Sequence, residues 1–265
     1  MPMRFVITAG GTTEPIDPVR KITNSASGQL GSLVAQRLVA RAGEKIEAIH
    51  YVCERGSVVP KLDCVDLVEV RGVAQAEEAL RDLLSRRPVD GVIHSMAVSD
   101  YAVSGVTSVH EIGVALSRLV DRWSSQGMPD ESGRDEALVS VLAGASRPPS
   151  ENEKMSSGID DLVLLMRRTP KLIGMIKKLQ PRTVLVGFKL LNRVSEEELL
   201  HVAASLKQAN DCDFVLANDL ATIGEGRHRG FLVGPDAGVA RFETKAQIAD
   251  GIAAAVIDRI EERLR

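Results

Sequence analysis

Short apolar stretches recur along the chain, separated by longer segments in which apolar residues return every three or four positions. The short stretches are rich in valine and isoleucine and are continuous rather than alternating. Such runs are typical of parallel strands covered on both faces. They predict strands at residues 4–8, 46–52, 66–70, 91–94, 183–188 and 214–217.

The intervening segments predict amphipathic helices. One apolar face is formed by Leu30, Leu33, Val34, Leu38 and Val39, and residues 77–85 repeat the same spacing. Two capping boxes, Ser195-x-x-Glu198 and Thr244-x-x-Gln247, predict a helix running toward Lys207 and the last helix of the chain. Alternating strands and helices predict an α/β fold with a doubly wound, mostly parallel, Rossmann-like sheet.

Residues from about 103 to 153 interrupt this alternation. They are polar and show no obvious strand. Residues 110–123 have helical spacing, whereas residues 127–153 combine glycine, serine, proline and charge. We expect a helical insertion with a mobile tail, forming a flap over about 103–157 within a single domain of residues 1–265.

Composition narrows the class of partner. A net charge of −3 and an aromatic content of 3% argue against nucleic acid, while 44% hydrophobic residues suffice for a large core. The 3 cysteines and 5 histidines lack metal-ligand spacing, so no protein-built metal site is expected; His94 and His228 can be structural. Buried cysteines suit a reducing compartment, and the lack of a signal peptide or a long apolar stretch predicts a cytoplasmic protein with no membrane partner.

The most distinctive segment joins the first predicted strand to the first predicted helix. Gly10, Gly11 and Thr12 open it, and a run of hydroxyl-bearing residues leads to Gly28. Small residues before a helix N-terminus suit a phosphate group, because backbone N–H groups point outward and the helix dipole favours an anion. Glycine-rich loops also serve as plain turns, and the spacing differs from a dinucleotide fingerprint. Both interpretations stay open on composition alone.

Further polar residues follow other predicted strands. Ligands of open α/β sheets bind beyond the carboxyl ends of the strands, so these residues are expected at one edge. These residues also have structural alternatives, because Asp100 can cap a turn, Phe188 can be core and Asn218 can form an Asx turn. Lys154, in the polar loop after the predicted insertion, can likewise be a solvated lysine. The segments concerned are residues 95–100, 188–189 and 218–219.

Six blocks of this sequence together resemble the phosphopantothenate–cysteine ligases of coenzyme A biosynthesis, in their stand-alone bacterial form. The resemblance implies a ligase that joins 4′-phosphopantothenate to cysteine through an acyl-cytidylate, using CTP rather than ATP, with Mg²⁺ on the phosphates. It further implies a homodimer. Since the chain starts three residues before its first predicted strand, we expect no flavin domain and no flavin. The blocks are residues 7–31, 94–101 (HSMAVSDY), 154–157 (KMSS), 169–171 (TPK), 186–190 (VGFKL) and 217–219 (AND).

The resemblance also implies roles for individual residues. Asn24, Lys154 and Arg20 would be catalytic, with Lys154 on the flap and Arg20 reaching the neighbouring subunit's site. Substrate binding would fall to Arg20, Asn24, Ala97 and Asp100. Nucleotide contacts are expected from Gly10, Gly11, Thr12, Ser25, Ser27, Gly28, Gly31, Ser95, Met96, Asp100, Lys154, Pro170, Lys171, Phe188 and Asn218. Two departures are Ala26, where the family has a serine, and the helix after Phe188, where only Lys207 is a candidate cation.

Two other functions fit parts of the pattern. An NAD(P)-dependent Rossmann oxidoreductase would share the sheet, but no tight Gly-x-Gly-x-x-Gly turn follows the first strand and no lysine stands four residues after Tyr101. A non-catalytic nucleotide-binding sensor would keep the loop alone. The joint presence of Asn24, Arg20, Asp100 and Lys154 favours an enzyme.

Overall fold

The computed structural model describes residues 2–150, 152–235 and 238–265, so Glu151 of the predicted insertion lies outside the described residues. Contacts divide the chain into two compact units. The first unit contains Met1–Thr12, Asn24–Val98 and Lys171–Arg265. The second contains Thr13–Thr23 and Ser99–Pro170, so the predicted insertion belongs to a larger unit that also takes in part of the long loop after the first strand.

The helices and strands are numbered here in chain order. The strands are β1 Met3–Ala9, β2 Thr13–Pro15, β3 Lys21–Thr23, β4 Ile46–Glu54, β5 Val65–Val70, β6 Gly91–His94, β7 Tyr101–Ser108, β8 Leu162–Arg168, β9 Val184–Leu191, β10 Phe214–Asp219, β11 Ile223–Gly224, β12 Arg227–His228, β13 Gly230–Val233 and β14 Val239–Phe242. The helices are α1 Gln29–Ala42, α2 Gly72–Arg86, α3 Val109–Gln126, α4 Glu131–Gly144, α5 Ile173–Leu179, α6 Glu196–Ala209 and α7 Lys245–Leu264. All six predicted strands are present.

The first unit is built on a sheet that has eight strands within the described part of the chain, in the order β14-β13-β10-β9-β6-β1-β4-β5. The six strands from β10 to β5 pair in parallel, whereas β13 and β14 add an antiparallel edge. The predicted mostly parallel α/β sheet is confirmed.

Helices cover both faces of this sheet. Side chains of β1 alternate between the faces, with Phe5 and Ile7 in one core and Val6 in the other. The first core is completed by α1 and α7, for example through Leu38 and Ile252, and the second by α2, α5 and α6. Because both faces are buried, the strands need continuous apolar sequence, which is why they were recognisable. Cys53 and Cys212 are buried, as expected.

The two predicted capping boxes are confirmed. The backbone N–H of Glu198 donates to Ser195 Oγ over 3.1 Å at the start of α6, and that of Gln247 donates to Thr244 Oγ1 over 3.2 Å at the start of α7. These bonds satisfy N–H groups that a helix leaves without partners in its first turn. Local chemistry thus sets both starts.

The second unit corrects three expectations. The absence of a strand after residue 103 is wrong, because β7 pairs with β8 in an antiparallel ladder whose partners lie about 60 residues apart. The mobile tail contains helix α4, whose N-cap Asp130 accepts the N–H of Gly133 over 2.9 Å. The loop after β1 contains a hairpin, β2–β3. Serine, glycine and threonine hide the alternation of β7, and α4 buries none of its residues fully, so neither shows a clear apolar period.

Candidate functional site

The carboxyl ends of β1, β6, β9 and β10 meet at one edge of the sheet of the first unit. These four strands are neighbours and parallel, so their ends align. Gly10, Ser95, Phe188 and Asn218 lie at this edge. Ligands of open α/β sheets bind at such edges, so the position fits the predicted nucleotide site.

Backbone hydrogen bonds shape the loop that leaves β1. The N–H of Ala97 donates to Gly10 O over 2.8 Å, and the N–H of Thr12 donates to Ala97 O over 3.1 Å. The N–H of Asn24 then donates to Thr12 O over 3.2 Å. A Cβ at Gly11 would lie 1.8 Å from Asn24 O, so only glycine permits this approach. The loop is thus hydrogen-bonded to the segment after β6 through Ala97, and its Thr12 carbonyl binds the backbone of Asn24.

The start of α1 is built around glycine. Gly28 has φ of +77° and precedes the helix without a side-chain cap, and no acidic residue lies in the first turn. The first bond inside the helix runs from the N–H of Ser32 to Gly28 O over 3.1 Å, so the N–H groups before it have no intrahelical acceptor. A Cβ at Gly31 would lie 2.7 Å from Ala9 Cβ and 3.0 Å from Ser95 Oγ. This arrangement leaves a helix N-terminus suited to an anion beside β1 and β6.

The loop after β1 and the start of α1 form a cluster, here called the loop cluster. Residues after β4 also belong to it, and sequence reasoning missed them. A Cβ at Gly10 would lie 2.2 Å from Ser57 Oγ, and the N–H of Val58 donates to Ser27 O over 2.8 Å. Tyr51 Oη lies 3.2 Å from Gly28 O and 2.9 Å from Val58 O. Since Ser57 follows the carboxyl end of a parallel strand next to β1, the same rule about strand ends would have found it.

His94, the last residue of β6, contacts β1 and has a structural role. Its Nδ1 lies 2.8 Å from Thr8 Oγ1, and the imidazole is buried. Burial lowers the pKa of His94 from 6.5 to about 4, so the ring is neutral at neutral pH. Next to it, Ser95 Oγ donates to Thr8 O over 2.7 Å, which ties the end of β6 to β1.

Phe188 and Asn218 occupy the β9 and β10 side of the edge. Phe188 is half-buried and packs against the first core. Asn218 is buried, and its Nδ2 donates to Arg229 O over 2.8 Å. Backbone hydrogen bonds from Ala221 and Arg193 lower the pKa of Asp219, which keeps that carboxylate ionised as a loop anchor.

The remaining predicted nucleotide contacts of the first unit differ in exposure. Ser25 and Ser27 are exposed, and Met96 is buried with its N–H donating to Thr8 Oγ1 over 3.3 Å. Lys171 is exposed, and its carbonyl accepts the N–H of Gly174 over 3.1 Å. The structure therefore joins the glycine loop, the α1 terminus and the end of β6 directly.

Arg20, Asp100, Lys154 and Pro170 belong to the second unit. Lys154 is exposed, and its neighbour Met155 is contacted by Arg20, whose guanidinium donates to Met155 O over 2.8 Å. Asp100 is exposed, and its carbonyl accepts the N–H of Thr169, the residue before Pro170, over 3.0 Å. Within this unit the structure links Arg20 to the segment of Lys154, a contact that sequence spacing could not show.

Among residues 2–150, 152–235 and 238–265, no group of three or more His, Cys, Asp or Glu residues is placed to hold a metal ion. No helix in the described ranges is long and apolar enough to cross a membrane.

Comparison with known proteins bears on this geometry. Residues 2–110 match the DNA/pantothenate metabolism flavoprotein C-terminal domain, abbreviated DFP. This segment includes the glycine loop, the α1 terminus and the end of β6. The resemblance stated from the sequence is thereby confirmed, and it places the loop cluster inside the matched domain.

Similar proteins match the chain beyond residue 110 as well. The coenzyme A biosynthesis bifunctional protein CoaBC of Thermococcus kodakarensis is 30% identical over 233 residues, which cover 88% of this chain and 45% of that protein. The chain thus spans under half the length of this relative. The crystal structure of the DNA/pantothenate metabolism flavoprotein from Streptococcus pneumoniae is 27% identical, with a TM-score of 0.77, and the match covers 97% of this chain and 99% of that one. A structure of the C-terminal domain of CoaBC, 20% identical with a TM-score of 0.65, shares the fold; the match covers 98% of this chain and 96% of that one.

Proposed function

We propose that this chain is a phosphopantothenate–cysteine ligase that acts in coenzyme A biosynthesis. The observation that carries the proposal is the match of residues 2–110 to the DFP family, a segment in which the glycine loop, Asn24 and the α1 terminus lie at the carboxyl edge of the sheet. The CoaBC protein of Thermococcus kodakarensis, which is similar to 88% of this chain, is named for coenzyme A biosynthesis. A helix terminus free of acidic residues supports phosphate binding, which every nucleotide-activated ligation needs.

The proposed reaction has two steps. A carboxylate oxygen of 4′-phosphopantothenate attacks the α-phosphorus of CTP, forming an acyl-cytidylate and releasing pyrophosphate. The amine of cysteine then attacks the acyl carbon, loses a proton, and CMP leaves with the electron pair of the broken C–O bond. In the first step a negatively charged carboxylate must approach a negatively charged triphosphate, and in the second an amine must be oriented toward the acyl carbon. Orientation and charge neutralisation therefore carry the catalysis.

The residues take the following proposed roles. Backbone N–H groups of the glycine loop and α1 hold the triphosphate, and Asn24 orients the carboxylate and donates to the oxygen that gains charge. Lys154 supplies a point charge to the phosphates. Arg20 binds the phosphate of phosphopantothenate. Phe188 and Asn218 contribute to the base pocket.

Mg²⁺ is proposed to arrive on the nucleotide. Magnesium at such sites is bound largely by substrate phosphates, so it needs no all-protein cage. Ser25 and Ser27 are exposed hydroxyl groups beside the predicted phosphate site, and hydroxyl oxygens are hard donors that suit this ion. The ion would neutralise charge on the phosphates when bound.

A pyrophosphate-release assay tests the function. Phosphopantothenate, cysteine and the purified chain are mixed with CTP or ATP in turn, and the product is identified by mass. We expect pyrophosphate release with CTP to exceed release with ATP, and product to require cysteine. The matched control is Asn24→Ala, which should fold normally and lose about 10²–10³ in rate. A chain that binds CTP but releases no pyrophosphate with all substrates present would contradict the proposal.

The active unit is proposed to be a cytoplasmic homodimer in which Arg20 serves the neighbouring subunit. Mixing Arg20→Ala with Asn24→Ala protein tests this sharing. If the site is shared, each mixed dimer assembles one intact site, and activity recovers to at most about half under two-fold symmetry. No recovery despite demonstrated subunit exchange would assign Arg20 to its own chain's site.

A further inference from the structure

The carboxylate of Asp17 is buried in the second unit, with a side chain that is 0% exposed. Its Oδ1 accepts the N–H groups of Val19 and Arg20 over 2.8 and 2.7 Å. Its Oδ2 accepts Arg20 Nε over 2.9 Å and the N–H of Met155 over 3.2 Å. The two oxygens thus do different work, since Oδ1 closes a local turn and Oδ2 bonds a guanidinium and a distant peptide.

The backbone of Met155 is held at both its N–H and its carbonyl group. Asp17 accepts its N–H, and the Arg20 guanidinium donates to its carbonyl over 2.8 Å. Lys154 immediately precedes Met155, so the Lys154 Cα lies in the peptide plane whose N–H is bound by Asp17. Asp17 and Met155 are separated by 138 positions in the chain, which excludes a merely local turn as the explanation of this bond.

We propose that Asp17 is a positioning residue that fixes the Arg20 guanidinium and the segment bearing Lys154 at the same time. This inference rests on the proposed function, because Arg20 and Lys154 have catalytic roles only in that reaction. The Arg20 side chain is long and flexible and is 37% exposed, so without a fixed carboxylate its guanidinium would sample many positions. We call the bonds from Asp17 to Arg20 and Met155 the Asp17 clamp. The clamp restricts the Arg20 side chain before substrate binds, which lowers the entropic cost of reaching the reactive geometry.

The Asp17 carboxyl group is ionised near neutral pH. Burial raises the pKa of Asp17, but hydrogen bonds from the backbone of Arg20, Val19 and Met155 and the positive charge of Arg20 lower it to about 2. The carboxylate therefore stays ionised at any pH at which the enzyme would be assayed, so the clamp does not depend on pH in that range.

Asp17→Asn separates the two functions of this carboxylate. The amide oxygen of asparagine can still accept the turn N–H groups at Oδ1, whereas its NH₂ group cannot accept from Arg20 Nε or from Met155. We expect kcat/KM for phosphopantothenate to fall roughly 10- to 100-fold, while the affinity for CTP stays close to wild type. The fold-loss of kcat/KM caused by Lys154→Gln should be at least about threefold smaller in the Asp17→Asn background than in wild type, because the lysine is already misplaced there.

Trypsin provides a readout that does not depend on activity. It cleaves the Lys154–Met155 bond, whose N–H is bound by Asp17, so Asp17→Asn should speed this cleavage roughly tenfold. Cleavage after the exposed Lys61 of the first unit is the internal reference and should not change. The matched control is Asp130→Asn, which alters an exposed aspartate cap of the same unit and should change neither cleavage nor kinetics.

The outcomes separate the two ideas. Wild-type ligation with unchanged kinetics and cleavage in Asp17→Asn overturns the positioning role. Fully additive effects of Asp17→Asn and Lys154→Gln overturn the link to Lys154. If wild type shows no ligation, the proposed function fails together with the catalytic part of this inference, whereas faster cleavage at Lys154 still establishes the clamp.

Discussion

Gly11→Ala should disable the site while leaving most of the fold in place. The added Cβ would lie 1.8 Å from Asn24 O and 2.9 Å from Asn24 C, both backbone atoms that cannot rotate away. Restoring even a 3.0 Å contact requires the two segments to separate by about 1.2 Å, because 3.0 minus 1.8 is 1.2. The displaced backbone is that of Asn24 itself, so the proposed catalytic amide moves with it.

The expected effect has two measurable parts. Forcing a methyl group into a packed contact costs roughly 1–3 kcal/mol in stability, which denaturant unfolding detects as a lower midpoint with an unchanged slope. A misplacement of about 1 Å costs around 10²-fold in rate, which pyrophosphate release at saturating substrates measures. The loss of rate should therefore be large at a temperature where the variant is still folded.

Gly224→Ala is the matched control, because a Cβ there meets nothing within 4 Å. It should match wild type in both assays. A Gly11→Ala protein with wild-type kcat would refute the argument, since the Asn24 backbone would then tolerate a shift of over 1 Å without consequence. A variant that unfolds at all temperatures would show that the loop contributes more to stability than overpacking predicts.

Three other changes have definite expected outcomes. Lys154→Gln should lower kcat more than it weakens CTP affinity, because a flap contact tightens late; calorimetry and pyrophosphate release separate the two, and loss of affinity alone would make Lys154 only a binding residue. Burial lowers the pKa of His94 from 6.5 to about 4, so the unfolded chain binds a proton that the folded chain does not; stability should fall as pH drops from about 6.5 to about 4, by roughly 3 kcal/mol, and His94→Asn should flatten that slope in denaturant unfolding. Gly113→Ala lies inside α3 with nothing within 4 Å of the new Cβ and should raise stability by roughly 0.5–1 kcal/mol; a lower thermal midpoint would show an unseen contact.

Much of the first unit could be predicted because its signals are local. Continuous apolar strands follow from burial on both faces, and Ser195 and Thr244 cap helices through bonds to residues three positions ahead. The strand-end rule also located Gly10, Ser95 and Asn218 at one edge, because parallel neighbours bring their carboxyl ends together. The same rule applied to β4 would have included Ser57.

The second unit was harder to predict because its stability depends on distant partners. Strand β7 is rich in serine, glycine and threonine, and it becomes a strand by pairing with β8, which lies about 60 residues further on. Helix α4 shows little apolar periodicity because none of its side chains is fully buried. A pattern of neighbouring residues carries no information on such pairings.

The sequence by itself determined the α/β class, the glycine-rich loop with its helix terminus, and the resemblance to a ligase family, since each of these depends on residue types at fixed spacing. Only the tertiary structure decided that Gly11 lies against the Asn24 backbone, that Tyr51 and Val58 support the start of α1, and that Asp17 bonds the peptide after Lys154. The physical reason is that a hydrogen bond or a close contact depends on distance in space. Folding brings Asp17 and Met155 within 3.2 Å across 138 residues of chain, and no local spacing specifies that meeting.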